Sequence, residues 1–233
     1  MEFQKLCALS LKDRFICEIR NLILSGHLPI GSKLPPEREI AKQMQISRAV
    51  VNGGFAELEK QGFLEIIPRQ GVYVADYGKK GNIETLNAIM EYHGDKLGYA
   101  EICSILEVRR ALEHVVTETV IKNATDEDIY ALEGLLEEIK DAKSVQEVTE
   151  ATFAFHHRLA VIGGNSIMPL IYISFQPVVT QLWKRFCVRL GTGALYENTL
   201  ALYKCIKSRD QMAARACTDS HMDEAIISSE RIF

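Results

Sequence analysis

Apolar residues recur at helical spacing near the start of the chain. Leu11, Phe15, Ile19, Leu22 and Ile23 share one face, and Lys12, Arg14, Glu18 and Arg20 lie on the other. This pattern predicts an amphipathic helix over Leu11–Ser25. Gly26 stops it, and Leu28-Pro29-Ile30-Gly31 forms a short turn. A second helix of about two turns runs from Pro36 to Met44, with proline first and acid in its first turn, where the helix dipole favours negative charge. Ser47 is placed to cap a third helix that reaches Gln61. Its inward residues are Val51, Phe55 and Leu58, which turns Ala49, Gly53 and Ala56 outward with Asn52 beside them. After Gly62 the period shortens. Phe63–Ile67 and Val72–Ala75 read as two strands around the tip Pro68-Arg69-Gln70-Gly71. Helix, short helix, capped helix and hairpin, in that order, make a winged helix-turn-helix that ends near Asp76.

Tyr77-Gly78-Lys79-Lys80-Gly81 marks a boundary by its glycine and lysine content. Beyond it every periodic segment is helical: 82–93, 98–122, 125–142, 146–162, 165–189, 194–208 and 210–228. The expected fold is mainly α, a winged helix-turn-helix with a small β-hairpin wing followed by an all-α bundle. The expected domains are a winged-helix head at 1–76, a linker at 77–81, and a helical domain at 82–233.

Composition narrows the class. With 47% hydrophobic and 25% charged residues in a chain of 233, there is enough apolar material for two cores. Charged residues interrupt the first thirty positions, and no run of 18 uncharged apolar residues occurs. The expectation is therefore a cytoplasmic protein with no membrane segment. Cys7, Cys17, Cys103, Cys187, Cys205 and Cys217 show no paired spacing and read as reduced, structural thiols. The net charge of −4 divides unevenly: residues 1–80 carry 12 Lys+Arg against 9 Asp+Glu, whereas residues 81–233 carry 15 against 22. So modest a basic excess is poor evidence for DNA binding, and the placement of individual basic residues matters more.

Leu34-Pro35-Pro36-Glu37-Arg38-Glu39-Ile40-Ala41, then Ile46-Ser47-Arg48, Leu58 to Leu64, and Pro68 to Val74 follow one another in an order that resembles the GntR family of bacterial regulators. The remainder resembles that family's FadR-type branch through Leu106–Glu113, Phe155-His156 with Leu159 and Asn165, and Asp210 with Ala214 leading to His221. The resemblance implies that Arg38 and Arg48 contact double-stranded DNA. Physical chemistry agrees, because an arginine in the first turn of a recognition helix can reach guanine or phosphate in the major groove. Ser47 can cap that helix or bond a phosphate. Where the family usually has Val-Arg-Glu-Ala, this chain has Val51-Asn52-Gly53-Gly54, so Asn52 stands in for an arginine and can still read adenine. Two glycines inside a helix cost about 1 kcal/mol each. They imply a close backbone approach, either to DNA or within the domain. At the wing, Arg69, Gln70 and Gly71 are expected to project toward the adjacent minor groove or phosphates, with Arg69 touching the DNA backbone and Gly71 either at that contact or serving the turn.

The resemblance also implies an effector domain in which an aspartate, a histidine four residues on, and two later histidines hold a divalent metal. The corresponding positions here are Thr152, His156, Thr199 and His221, so half of the ligand set is missing. His156 and His221 remain weak metal candidates. The alternative role is hydrogen bonding to an acidic effector, with Arg109 as the carboxylate partner; a third possibility is satisfied core histidines and a buried Arg109 salt bridge. Phe175, Trp183 and Phe186 read as core or dimer interface rather than a ligand box.

Three functional readings follow. The first is a homodimeric, ligand-responsive regulator, acting as a repressor, that binds a pseudo-palindromic operator and a small effector such as a carboxylate. The second is a metal-dependent enzyme built on the bundle; with no G-x-S-x-G, H-E-x-x-H or phosphate loop in the chain, the expectation is not an enzyme. The third is a DNA-binding protein that answers to no ligand.

Overall fold

The computed structural model describes residues 10–93 and 98–230, and the chain forms two compact units, Met1–His93 and Gly94–Phe233. Cys7 lies outside the described residues.

The first unit begins with α1 (Leu11–Leu24), whose Ser10 and Asp13 form a reciprocal capping box. Next come α2 (Glu37–Gln43) and α3 (Arg48–Lys60), then the antiparallel hairpin β1 (Leu64–Ile67) and β2 (Gly71–Val74), paired from Leu64↔Val74 to Ile67↔Gly71. Phe15, Ile19, Ile40, Val51, Phe55, Leu58 and Phe63 form its core, all with at most 5% of their surface exposed. The predicted inward face of the third helix is therefore the face that packs.

Two features of this unit were not expected. The segment after the first turn adds itself to the wing: Gly31 and Leu34 donate backbone N–H bonds to Val74 and Val72, both 2.8 Å, and Lys33 bridges Tyr73. The expected linker at 77–81 contains a helical turn, α4 (Tyr77–Lys80), followed by α5 (Ile83–His93). Residues of α5 and its N-terminus pack on the winged helix. Ala88 enters its core, the Thr85 hydroxyl donates to the Gln61 carbonyl, and Arg20 pairs with Glu91 at 2.7 Å. The unit consequently extends to His93.

The second unit contains α6 (Tyr99–Asn123), α7 (Asp126–Tyr130), α8 (Leu132–Asp141), α9 (Val145–Ile162), α10 (Met168–Leu190), α11 (Thr192–Lys207) and α12 (Gln211–Glu230). The segment expected at 125–142 is two helices meeting at Ala131. Helix α9 packs between α8 and α10, while α12 lies along α6. Phe155, Leu132, Leu159, Ile139 and Ile206 are completely or almost completely buried at the centre. Arg110 of α6 holds Asp223 of α12 at 2.5 Å. Arg209 covers the end of α6, donating to the carbonyls of Ile121 (2.7 Å) and Ala124 (2.8 Å) and pairing with Asp126. Those helix-end carbonyls would otherwise lack partners. Among the described residues no helix is long and apolar enough to cross a membrane.

Candidate nucleic-acid interface and effector cavity

In the first unit, Ser47 caps α3: its hydroxyl accepts from the Val50 backbone N–H at 3.3 Å. The cap leaves Arg48 at the opening of the helix, solvent-exposed and 3.8 Å from Glu37 of α2, a contact loose enough for the guanidinium to leave. Ala49, Asn52 and Ala56 are exposed on the same helix, and Arg38 is exposed on α2. This surface is small-residued between its arginines, a shape that lets a helix enter a major groove.

The two glycines of α3 separate into different roles. A Cβ on Gly54 would overlap the Phe15 ring, so Gly54 exists for the packing of α1 on α3. A Cβ on Gly53 would meet only the aliphatic part of Lys12, at 3.7 Å, an ordinary contact. At the wing tip, Arg69 is exposed with φ +64° and Gly71 has φ +124°. Gly71 thus serves the turn, as its residue type suggested. Lys33, which sequence reading passed over, lies beside this tip with its ammonium 5.8 Å from the centre of the Tyr73 ring. Its place on the wing depends on backbone pairing that no local pattern announces.

In the second unit, α6, α9, α10, α11 and α12 enclose a cavity of about 90 Å³. Arg109, His156 and His221, which the sequence grouped as effector contacts, all line it. The structure also places there a group that sequence reading missed. Glu113, one turn after Arg109, is 3% exposed and lies 2.9 Å from His156 Nδ1 and 3.7 Å from Arg109 Nε. Burial alone would raise the Glu113 carboxyl, but the charge and hydrogen bond of His156, together with Arg109, outweigh it and hold the group below its ordinary value. Burial also draws Arg109 down, against Glu113, yet a guanidinium stays charged. His221 is lowered by burial, and Tyr172 is raised well above its usual value by burial and by Glu113. Burial likewise pushes the Cys187 and Cys217 thiols up to about 11, which makes them unreactive.

Trp183 completes the arrangement. Its ring carries the Arg109 guanidinium at 4.5 Å and contacts His156 at 5.4 Å between ring centres. Trp183 belongs to the core with Phe175 and Phe186 packed against it, as the aromatic run suggested, and Trp183 and Phe186 also form cavity wall. The planar face of Arg109 is stacked, but its forked N–H groups make no hydrogen bond among the described residues. Thr218 is similarly unspent: it is 3% exposed, lines the cavity, and its hydroxyl has no partner. The other buried threonines of the bundle, Thr117, Thr149, Thr152 and Thr199, all donate to carbonyls of their own helices.

The metal implied by the family resemblance does not fit these residues. The Thr152 and Thr199 hydroxyls are committed to the Val148 and Leu195 carbonyls at 2.7 and 2.8 Å. His156 Nδ1 is committed to Glu113, whose other neighbour is a cation. Among the described residues no group of three or more His, Cys, Asp or Glu is arranged to hold a metal ion. What remains is a partly buried arginine, stacked on a tryptophan and paired with an internal carboxylate, whose forked N–H groups make no hydrogen bond among the described residues.

Comparison with known proteins places both halves. Residues 11–74 match the model of the bacterial regulatory proteins, gntR family, and residues 104–224 match that of the FCD domain. An HTH-type transcriptional regulator of Mycobacterium tuberculosis is 31% identical over 160 residues, 69% of this chain and 64% of its own length. The match thus spans slightly less than two thirds of that relative. The HTH-type transcriptional regulator LutR of Bacillus subtilis is 23% identical over 86% of this chain and 93% of its own. Among solved structures, Lar of Listeria monocytogenes shares the fold over the whole of both chains with a TM-score of 0.63 at 16% identity.

Proposed function

The chain belongs to the GntR family of bacterial regulatory proteins and carries the FCD domain, a family of transcriptional regulators rather than enzymes, and we propose that it is a carboxylate-responsive repressor acting as a homodimer on a pseudo-palindromic operator. Two heads reading two half-sites require two copies of the chain. Arg48, Asn52 and Arg38 meet the major groove, with Ser47 holding the helix start. Arg69 meets the phosphate backbone beside the wing.

The observation that carries the effector half is Arg109. A buried guanidinium whose forked donors are unused is an unfinished site, and a carboxylate completes it through two parallel, charge-assisted hydrogen bonds. His156 and His221 add donors around the same anion. A ligand-independent role accounts for the pairing of Arg109 with Glu113 at 3.7 Å and its stacking on Trp183, but leaves the forked donors unused. Small carboxylates suit a cavity of about 90 Å³.

Both halves are testable on the purified full chain. Against DNA selected from random sequence, Arg48→Ala should lose about 1–3 kcal/mol of specific binding, roughly 5- to 150-fold. Wild-type affinity in a gel-shift titration would remove Arg48 from the interface. In parallel, Arg109→Gln should abolish carboxylate-induced thermal stabilisation. Retained stabilisation would sink the Arg109 assignment.

A further inference from the structure

Resting on the reading of the first unit as a DNA-binding head, we infer that Lys33 is a further phosphate contact, carried to the wing by a third strand segment and set beside Arg69. Residues 31–34 run antiparallel to β2. The Gly31 and Leu34 N–H groups donate to the Val74 and Val72 carbonyls, and the Val74 N–H donates to the Ser32 carbonyl at 2.9 Å. Lys33 faces Tyr73 in that register, and Tyr73 faces Glu65 across the hairpin. Side chains alternate between the two faces of a sheet. Leu34, Val72 and Val74 are buried in the core, so Lys33, Tyr73 and Glu65 share the outer face.

The lysine is aimed at the tip. A Cβ on Gly71 would lie 2.8 Å from Lys33 Cε and 3.6 Å from its Nζ, so the lysine stem crosses the bare backbone of Gly71, where β2 leaves the turn. Glycine at this position therefore has a second use besides its φ of +124°, which is to clear the path of the lysine. Arg69 and Gln70 directly precede it and are exposed.

Charge supplies the second observation. Glu65, the hairpin's single carboxylate, is held by Lys80 at 2.7 Å. Lys33 is exposed and forms no ion pair or hydrogen bond among the described residues, its cation resting 5.8 Å from the centre of the Tyr73 ring. A ring face leaves the three N–H donors of an ammonium free. A compact point charge on a flexible stem, oriented only by that ring, suits a phosphate rather than a base edge, where fixed donor geometry is needed. Lys33 and Arg69 thus give the wing two phosphate contacts from separate segments of the chain.

The test is a salt titration of DNA binding by the full chain, on a duplex selected from random sequence and on an unselected duplex of equal length. Each lost phosphate contact makes the plot of log affinity against log salt shallower by about 0.9. Lys33→Met, which keeps the apolar stem, and Lys33→Gln should each flatten the slope by about 0.9 per protomer on both duplexes. Their affinity loss is then about three-fold larger per protomer at 50 mM salt than at 200 mM. Lys33→Arg should keep the wild-type slope, as should Lys140→Met, which removes one charge from α8 of the second unit. An unchanged slope for both neutral Lys33 variants overturns the inference. So does an equal flattening by Lys140→Met, which makes the effect one of net charge, or a loss confined to the selected duplex, which makes Lys33 a base reader. If Arg48→Ala loses specific binding while the Lys33 variants keep the wild-type slope, the inference falls alone. If the wild-type chain binds neither duplex, the DNA-binding reading falls and takes the inference with it.

Discussion

Gly53 and Gly54 look alike in sequence, and both carry the same intrinsic penalty in a helix, yet their surroundings differ. Alanine at Gly54 drives a methyl group into the Phe15 ring, whose own packing against Phe55 leaves it little room. Overpacking of this kind costs about 1–3 kcal/mol, and the gain in helix propensity returns at most about 1. Gly54→Ala should therefore lower the denaturation midpoint of the first unit. Gly53→Ala should raise it, since the added methyl meets only Lys12 at an ordinary distance. Chemical denaturation followed by circular dichroism distinguishes the two, and equal effects would refute the assignment of Gly54 to packing. The sequence could say that two helix glycines need a reason. It could not say which reason, because the Phe15 ring reaches Gly54 only through tertiary packing. Glu113 shows the same limit from the other side. Periodicity treats a charged residue as solvent-facing, so a buried carboxylate escapes notice, although its i,i+4 spacing from Arg109 was a usable signal. Trp183 was legible as buried, but its second role required seeing Arg109 stacked upon it.

At the scale of elements, α1, α2, α3 and the hairpin were legible because each has strong periodicity and a local stop or cap: Ser10 and Ser47 at helix starts, Gly26 and Gly62 after helix ends. The break between α7 and α8 at Ala131 was not, since alanine gives no stop signal and the apolar spacing runs through it. Nor was the attachment of α5 to the winged helix, which depends on Thr85, Ala88 and Glu91 finding partners 24 to 71 residues away. The packing of α12 against α6 carries a pH dependence. His221 on α12 is faced by Arg109 and Glu113 of α6, His156 of α9 and Glu224 of its own helix, and burial holds it below 6.5. The unfolded chain, with an ordinary histidine, then takes up a proton at a higher pH than the folded bundle does. Stability should fall as pH drops through 6.5 toward the lower folded value, because the unfolded state binds more protons in that window. Glu113, held below its usual 4.5, adds stability that is present above 4.5 and lost as pH falls through its folded value. His221→Gln should flatten the dependence of Tm on pH just below 6.5 and leave the steeper acid loss below 4.5. An unchanged slope just below pH 6.5 would show that His221 is not the group responsible.

At the scale of the molecule, one unit carries an arginine-flanked helix and the other a cavity lined by Arg109, and control of transcription by an effector requires that the two exchange free energy. Such an exchange is reciprocal: if the effector weakens operator binding by some factor, the operator must weaken effector binding by the same factor. Couplings of this kind run about 1–3 kcal/mol, or roughly 5- to 150-fold. For a repressor released by its effector, titrating the protein with a small carboxylate that stabilises it should therefore give a Kd that rises in the presence of saturating operator DNA by the same factor as the DNA Kd rises at saturating carboxylate. Salt offers an internal control, because phosphate contacts make DNA affinity fall steeply with ionic strength, while the ratio of the two effector affinities is set by the coupling. The expected pattern has a specific failure. If Arg109→Gln abolishes effector binding and the effector nevertheless leaves DNA affinity untouched in the wild type, the cavity is a carboxylate site uncoupled from the head, and regulation by this ligand is excluded. If the two factors agree, Arg109→Gln should hold DNA affinity at its effector-free value at every carboxylate concentration, a super-repressor whose defect is confined to the second unit.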